Sequence, residues 1–130
     1  YDSLDPALKP YLDGWIKFRI DNDFHPVAVE EKFYSPQYHY CGMLDCYGEL
    51  RGKITVIDIK SNFYMSTGPQ LAGYSHLLGI NLYPNRKINR IAVQCREDGT
   101  YKIKTYDELM DWSIFLSCLS IINFKKRNGV

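Results

Sequence analysis

The sequence lacks an excess of charge of either sign. Its 16 Lys and Arg residues nearly balance 15 Asp and Glu residues over 130 residues, which gives a formal net charge of +1. No overall field therefore predicts nucleic acid or an anionic membrane as a partner, and polyanion binding would depend on local charges. Internal repeats, linkers and low-complexity tracts are also lacking, so we predict one domain over residues 1–130.

Closely spaced cysteines and long apolar runs are missing too. The four cysteines form no C-x-x-C pair, which argues against a disulfide or zinc site and is typical of a reducing, cytoplasmic setting. The spacing of His25, His39 and His76 fits neither a metal site nor a hydrolase triad, so we interpret them as structural or surface residues. The run at 114–124 is too short and too polar to span a membrane, and no signal peptide is recognisable. Because the chain begins at Tyr1, we interpret it as a possible fragment.

The pattern of apolar residues, glycines and prolines predicts the order α-β-β-β-α-β-β-α, an α/β class with an extra edge strand and a C-terminal helix. The predicted elements are a helix starting at Asp5-Pro6 and broken at 22–26, a strand at 27–34, a hairpin within 40–61, a helix from 66–69 to 81–85, strands at 88–95 and 101–105, and a helix at about 107–127.

Each predicted helix carries apolar residues at helical spacing, which indicates the face that packs. These residues are Leu8, Tyr11, Leu12, Trp15 and Ile16 in the first helix, Leu71, Ala72, Leu77 and Leu78 in the second, and Leu109, Trp112, Phe115, Leu116, Leu119 and Ile122 in the third.

The predicted hairpin contains charges in segments that otherwise have the composition of strands. Side chains alternate along a strand, so Asp58 and Lys60 share one face with Ile54 and Val56. A two-residue turn at Arg51-Gly52 then has a specific consequence for the facing strand.

With that turn, Leu50 pairs with Lys53, Tyr47 pairs with Val56, and Asp45 lies opposite Asp58 at roughly 5 Å between Cα atoms. Two carboxylates this close need a cation.

A divalent cation explains this arrangement best, because Mg²⁺ or Mn²⁺ takes hard oxygen ligands from one or two carboxylates together with water and phosphate. We predict Asp45 and Asp58 as the ligands, with the main-chain carbonyl near Ile59 in reach. Glu30 or Glu31 of the preceding strand would add a carboxylate or position water. Lys60 would then orient or deprotonate the attacking water or stabilise charge on a phosphate.

Four segments together resemble the PD-(D/E)XK nuclease superfamily and, within it, the RecB-like and phage-type exonucleases. They are Val29-Glu30 with Tyr34-Ser35, Gly42-Met43-Leu44-Asp45-Cys46, Val56-Ile57-Asp58-Ile59-Lys60-Ser61 and Gln70-Leu71-Ala72-Gly73-Tyr74, within a matching region of roughly residues 27–78.

The resemblance implies a restriction-endonuclease-like αβββαβ core with a central mixed sheet flanked by helices. It also implies that Asp45 and Asp58 bind the metal, that Lys60 is catalytic and that Glu30 is the upstream acidic residue. Gln70 and Tyr74 would help to hold the active site or the DNA strand. The cysteines do not match the iron–sulfur members, so we expect no such cluster.

Several of these residues have a structural alternative. Strict alternation favours Glu31 rather than Glu30 on the face of Phe33. Thr67-x-x-Gln70 also fits a capping box, and Tyr74 also fits a core position.

Basic residues near the end of the chain have two readings as well. Those at 125–127 suit a helix C-terminus, but with Arg86, Lys87 and Arg90 they would also suit contacts to DNA phosphates.

The sequence thus predicts a Mg²⁺- or Mn²⁺-dependent DNA exonuclease that hydrolyses phosphodiester bonds with a metal-activated water, acting on strand ends or single-stranded DNA. The alternative is a non-catalytic nucleic-acid-binding or recombination-assembly module with the nuclease fold. That alternative is favoured by the near-neutral charge and by the absence of the upstream Gly-x-x-x-His segment common in the group. No membrane partner is expected, and a homo-oligomer or a recombination partner is left open.

Overall fold

The computed structural model describes residues 5–129, and the predicted order of elements is confirmed there. The elements are α1 (Lys9–Asp21), β1 (Phe24–Ser35), β2 (Tyr40–Leu50), β3 (Lys53–Ile59), α2 (Thr67–Asn81), β4 (Asn89–Cys95), β5 (Tyr101–Thr105) and α3 (Met110–Arg127).

The five strands form one mixed sheet in the order β1-β2-β3-β4-β5. Only β3 and β4 run parallel, and α2 connects them, as a parallel pair requires. Helix α2 packs against β1 to β4, whereas α1 contacts β1, β4 and β5. Helix α3 packs mainly on α2 and reaches the sheet through single side chains. The predicted α/β class, with a central mixed sheet flanked by helices, is confirmed. No helix within residues 5–129 is long and apolar enough to cross a membrane.

The hairpin between β2 and β3 has the predicted two-residue turn. Leu50 pairs with Lys53, and Tyr47 pairs with Val56. Arg51 and Gly52 have φ angles of 50° and 79°, and a positive φ at both positions is the requirement of a type I′ turn. This turn matches the twist of the strands and thereby fixes the register of the hairpin.

Two separate apolar clusters cover the two faces of the sheet, as the alternation in β3 predicts. The cluster under α2 contains Leu44, Tyr47, Ile54, Val56, Leu71, Leu77 and Leu78, and the cluster under α1 contains Phe18, Phe24, Cys46, Ile57, Ile91 and Val93.

The alternation of β2 is broken next to Asp45. Leu44 and Tyr47 both lie in the cluster under α2, while Cys46 lies in the cluster under α1. In a regular strand Leu44 and Cys46 would share a face. On the neighbouring strand Glu30 has a φ of 50°, an unusual conformation for this residue type. Asp45 therefore lies at a local irregularity that two adjacent strands share.

Three predicted element boundaries are wrong. Helix α1 begins at Lys9 with Pro10 in its first turn, whereas residues 5–8 form a turn in which Asp5 accepts a hydrogen bond from the Ala7 N–H (3.0 Å). Strand β1 begins at Phe24 rather than at 27, because a proline is tolerated on an edge strand. Helix α3 begins at Met110 rather than near 107.

The apolar stripes are only partly confirmed. Helix α2 buries Leu71, Ala72, Leu77 and Leu78 as predicted, but Leu8, Tyr11 and Ile16 of the first predicted stripe are exposed, as are Leu109 and Ile122 of the last. The buried residues of α1 are instead Gly14 and Phe18. A Cβ atom on Gly14 would lie 2.6 Å from the Thr100 carbonyl oxygen, so this glycine permits the close approach of α1 to the chain before β5.

Candidate active site

Asp58 lies near the carboxyl end of β3 and is only 3% exposed. Its Oδ2 is 3.1 Å from Lys60 Nζ. This contact is an ion pair, and Oδ2 is among the buried side-chain atoms of residues 5–129 that have no hydrogen-bond partner. An ionised carboxylate in this position is therefore neutralised by charge but left with unused hydrogen-bonding capacity.

The pairing of β2 with β3 extends to Cys46 and Ile57, and the next residues, Asp45 and Asp58, bring their carboxyl groups together. Asp45 Oδ2 accepts a hydrogen bond of 2.9 Å from the Ile59 N–H. Burial, and next a hydrogen bond between the two carboxyl groups, raise the pKa of Asp58 to about 6, although Lys60 opposes this change. Asp58 therefore takes up a proton at a higher pH than an ordinary aspartate does.

A chain of side chains from α2 supports Lys60. Lys60 Nζ donates to Gln70 Oε1 at 3.1 Å, and Gln70 Nε2 donates to the Tyr74 hydroxyl at 3.0 Å. Burial raises the pKa of Tyr74, and the charges of Asp58 and Asp45 contribute in the same direction.

The capping-box interpretation of Thr67 and Gln70 is wrong. The N-cap residue of α2 is Ser66, and no side chain caps the helix. Gln70 is instead used to hold Lys60, so the four-residue spacing of Gln70 and Tyr74 serves the site.

The two glutamates of β1 are placed differently from the aspartates. Glu30 is exposed at its positive-φ position. Glu31 Oε2 accepts a hydrogen bond of 2.7 Å from the Tyr47 hydroxyl, and burial together with this bond raises the pKa of that tyrosine. Residues 5–129 contain no group of three His, Cys, Asp or Glu residues placed to hold a metal ion. The structure therefore brings together Asp45 and Asp58 without a third carboxylate.

These two carboxylates still fit a hard divalent cation. Mg²⁺ commonly uses one or two protein carboxylates and completes its coordination with water and substrate phosphate. Asp45 and Asp58 supply such oxygens, and Asp58 Oδ2, which has no hydrogen-bond partner and lies 3.1 Å from Lys60 Nζ, is the oxygen that a cation would contact.

The histidines lie in other surroundings. His25 contacts Asp23 at 2.8 Å on the surface, and His39 Nδ1 is 3.3 Å from the Tyr34 hydroxyl. The ring of His76 stacks on Trp112 with 4.6 Å between centroids, and burial lowers its pKa. Sequence reasoning missed this aromatic cluster, which joins α2 to α3.

Arg90 is engaged in the structure. Its Nη1 lies 2.9 Å from Asp111 Oδ2 in a buried ion pair, and the guanidinium also donates to the carbonyls of Gly68 and Glu108. This arginine therefore anchors α3 and is not free for a phosphate. Lys126, by contrast, lines a groove that reaches the site residues Gln70 and Tyr74.

Two grooves flank the site. The first, which we name the α1 groove, has a volume of about 630 Å³ and is lined by Tyr11, Leu12, Trp15, Ile59, Lys60, Ser61, Gln94, Cys95, Arg96 and Glu97. The second, the α3 groove, has a volume of about 450 Å³ and includes Tyr34, Tyr40, Gln70, Tyr74, Phe115 and Lys126. Sequence periodicity alone gives no signal for either groove, because each joins elements that are distant in the chain.

No protein-family model matches the sequence, and a comparison with curated proteins finds no similar sequence. Function is therefore inferred from the geometry around Asp45, Asp58 and Lys60, together with the motif resemblance described above.

Proposed function

We propose that this protein is a metal-dependent deoxyribonuclease of the PD-(D/E)XK type, acting as an exonuclease on DNA strands. The observation that carries the proposal is the buried Asp58 carboxylate, whose Oδ2 lacks a hydrogen-bond partner while Asp45 and Lys60 lie beside it. The order α1-β1-β2-β3-α2-β4 supports the restriction-endonuclease-like core that belongs to this proposal.

A purely structural role explains the Asp45–Asp58 pair poorly. Placing two carboxyl groups in contact raises the free energy of their ionised forms. The single ammonium group of Lys60 compensates only part of this increase. Active sites are where such perturbed pairs concentrate.

Each residue has a role in this mechanism. Asp45 and Asp58 would hold Mg²⁺ or Mn²⁺, with the Ile59 main chain alongside, and the ion would polarise the phosphodiester and lower the pKa of a water molecule. Lys60, held 3.1 Å from both Asp58 and Gln70, places a positive charge where the phosphate gains negative charge. Gln70 and Tyr74 fix the lysine's position.

The test is nuclease activity on DNA with Mg²⁺ or Mn²⁺. We expect Asp58→Asn and Lys60→Ala each to reduce degradation at least about a hundredfold, since each removes a group acting on the developing charge. Asp111→Asn, at a carboxylate that is equally buried and ion-paired, and Glu49→Gln, on the exposed side of β2, are the matched controls. Folding of every variant is checked by thermal unfolding. Full activity of folded Asp58→Asn and Lys60→Ala proteins would overturn the proposal.

One observation favours a second candidate, a nucleic-acid-binding or recombination-assembly module without catalysis. The site offers two carboxylates, and residues 5–129 contain no group of three His, Cys, Asp or Glu residues placed to hold a metal ion. Calorimetric titration with Mn²⁺ separates the two candidates. The nuclease proposal expects binding that Asp58→Asn removes, and the module expects no heat of binding in either protein.

A further inference from the structure

The α1 groove opens at the carboxyl ends of the parallel strands β3 and β4. Its floor is formed by residues 59–61 and 94–97, which follow or end those strands, and its wall is formed by Tyr11 and Trp15 of α1. Crevices at the carboxyl ends of parallel strands are the usual ligand sites of such sheets. The groove's volume of about 630 Å³ lies in the range of small-ligand pockets.

The groove adjoins the carboxylate site through two shared residues. Ile59 and Lys60 line it, while the Ile59 N–H donates to Asp45 and Lys60 Nζ lies 3.1 Å from Asp58. A strand with a phosphate at the carboxylates therefore needs to pass only Ile59 and Lys60, at the edge of the sheet, to place its next nucleotide in this groove.

The wall offers aromatic surface in a fixed position. Trp15 stacks on Phe18 with 5.3 Å between ring centroids and contacts the ring of Phe24, so its orientation is fixed by the core. Tyr11, one helical turn earlier, is 42% exposed. Arg96 adds a positive charge to the lining beside the acidic Glu97, and Lys60, which also lines the groove, is ion-paired with Asp58. Aromatic faces combined with cations are the features that bind unpaired nucleotides.

The α3 groove is less suited to this role because, of its three tyrosines, Tyr40 and Tyr74 are already engaged, which leaves Tyr34, at 51% exposure, as its open ring. The Tyr40 hydroxyl donates to the Gly73 carbonyl, and its ring lies 4.8 Å from that of Phe115. The Tyr74 hydroxyl accepts from Gln70.

We propose that the α1 groove binds an unpaired base of the strand whose phosphodiester lies at Asp45 and Asp58, so that the preferred substrate is a single strand or a frayed end. This inference rests on the proposed nuclease function and specifies its substrate. A base inside a duplex is stacked and paired, and it reaches such a groove only after leaving the helix.

The test uses the fluorescence of Trp15 in a Trp112→Phe background, where Trp15 is the only tryptophan. The protein is titrated with a short oligothymidylate and with a blunt duplex of equal length, in chelator, so that cleavage does not interfere. The expected result is quenching of Trp15 by the single strand and much weaker quenching by the duplex.

Substitutions locate the contact. We expect Tyr11→Ala to weaken binding of the oligothymidylate about tenfold, as for loss of one stacking platform, and Arg96→Gln to weaken it severalfold with a smaller salt dependence. Tyr34→Ala, at a tyrosine 51% exposed in the α3 groove, and Arg19→Gln, at an exposed arginine of α1 outside both grooves, are the matched controls.

Each contrary outcome has a distinct meaning. Equal quenching by the duplex, or weakening by Tyr34→Ala but not by Tyr11→Ala, would overturn the inference. A change in Trp15 fluorescence with protein concentration alone would assign the groove to a second copy of the chain and also overturn it.

Failure of the nuclease proposal has a different signature. Binding with Trp15 quenching but no DNA cleavage in Mn²⁺ would reject the nuclease function while leaving the groove as a single-strand site.

Discussion

Asp58 is the residue whose ionisation matters most for this site. Burial and the neighbouring Asp45 raise its pKa from 3.8 to about 6. The folded protein therefore binds more protons than the unfolded chain between about pH 4 and pH 6. The stabilisation from the protonated pair is fully present below pH 4 and is lost as the pH rises through about 6.

This linkage predicts a pH-dependent stability that one substitution removes. In chelator, the Asp58 contribution to the free energy of unfolding should fall by about 3 kcal/mol between pH 4 and pH 7, because the shift is about two pKa units. Asp58→Asn mimics the protonated acid and should show a flatter profile in urea denaturation. Asp98, whose pKa is lowered by its hydrogen bonds with Thr100, provides the control. The Asp98→Asn protein should lose as much stability between pH 4 and pH 7 as the wild type does. Parallel profiles for wild type and Asp58→Asn would contradict the prediction.

Gln70 is the residue that ties the chemistry of β3 to helix α2. It bonds Lys60 on one side and Tyr74 on the other. It is a positioning residue, since in the proposed mechanism it acts through the lysine.

Replacement of Gln70 by Ala should lower kcat for DNA hydrolysis about tenfold to a hundredfold, a typical cost of removing a supporting hydrogen bond from an active-site group. KM should change little, because the residue acts on the position of Lys60. The control is Asn81→Ala, in the same helix. It removes a side-chain amide that donates to the carbonyls of Tyr34 and Leu77, and it should retain kcat. A change in KM alone would assign Gln70 to DNA binding instead.

Among the elements, the β2–β3 hairpin is the best example of what the sequence predicts. The two-residue connection at Arg51-Gly52 sets the pairing from Leu50 with Lys53 to Cys46 with Ile57, and the predicted register of Tyr47 with Val56 is confirmed. Counting residues outward from the turn predicts the strand pairing correctly, because a register slip of one residue would move all apolar side chains to the wrong face of the sheet.

Other features of the elements depend on tertiary packing that no local pattern reports. The switch of faces at Asp45 requires a matching irregularity at Glu30 on a different strand. The start of α1 at Lys9 rather than at Asp5-Pro6 reflects a choice between two proline positions that are both compatible with a helix start. The role of Gln70 depends on its distance to Lys60 across two elements.

The backbone conformation of the turn between β2 and β3 predicts how substitutions there change stability. Gly52 has a φ of 79°, and a Cβ atom there would meet nothing within 4 Å, so any cost of Gly52→Ala comes from the backbone conformation. We expect a loss of about 1–2 kcal/mol in the free energy of unfolding. Gly99→Ala, at a φ of 81° in the turn before β5, should cost a similar amount, whereas Arg51→Asn should stabilise slightly because asparagine tolerates this conformation. Unchanged stability of Gly52→Ala in urea would contradict the type I′ assignment.

On the scale of the whole molecule, the sheet separates two apolar clusters, and the site lies at the edge of the sheet between them. The carboxylates and Gln70 belong to the side of α2, while the α1 groove is bounded by the opposite helix. Changes on the α1 side should therefore alter the groove without changing the Asp45–Asp58 pair.

Two helical glycines test this separation. Alanine normally stabilises a helix by about 0.5–1 kcal/mol relative to glycine, and Gly79→Ala should do so because its Cβ would lie 3.5 Å from Ile88 Cδ1. Gly14→Ala should instead destabilise by about 1–3 kcal/mol, since its Cβ would lie 2.6 Å from the Thr100 backbone oxygen and would push α1 away from the sheet. Urea denaturation measures both values.

In the same Gly14→Ala protein, binding of oligothymidylate should weaken, while the fall in stability between pH 4 and pH 7 should persist because Asp58 and Asp45 remain in contact. Stabilisation by Gly14→Ala equal to that by Gly79→Ala would show that α1 does not pack this closely on the sheet. Loss of the pH dependence would show that the two sides of the sheet are coupled.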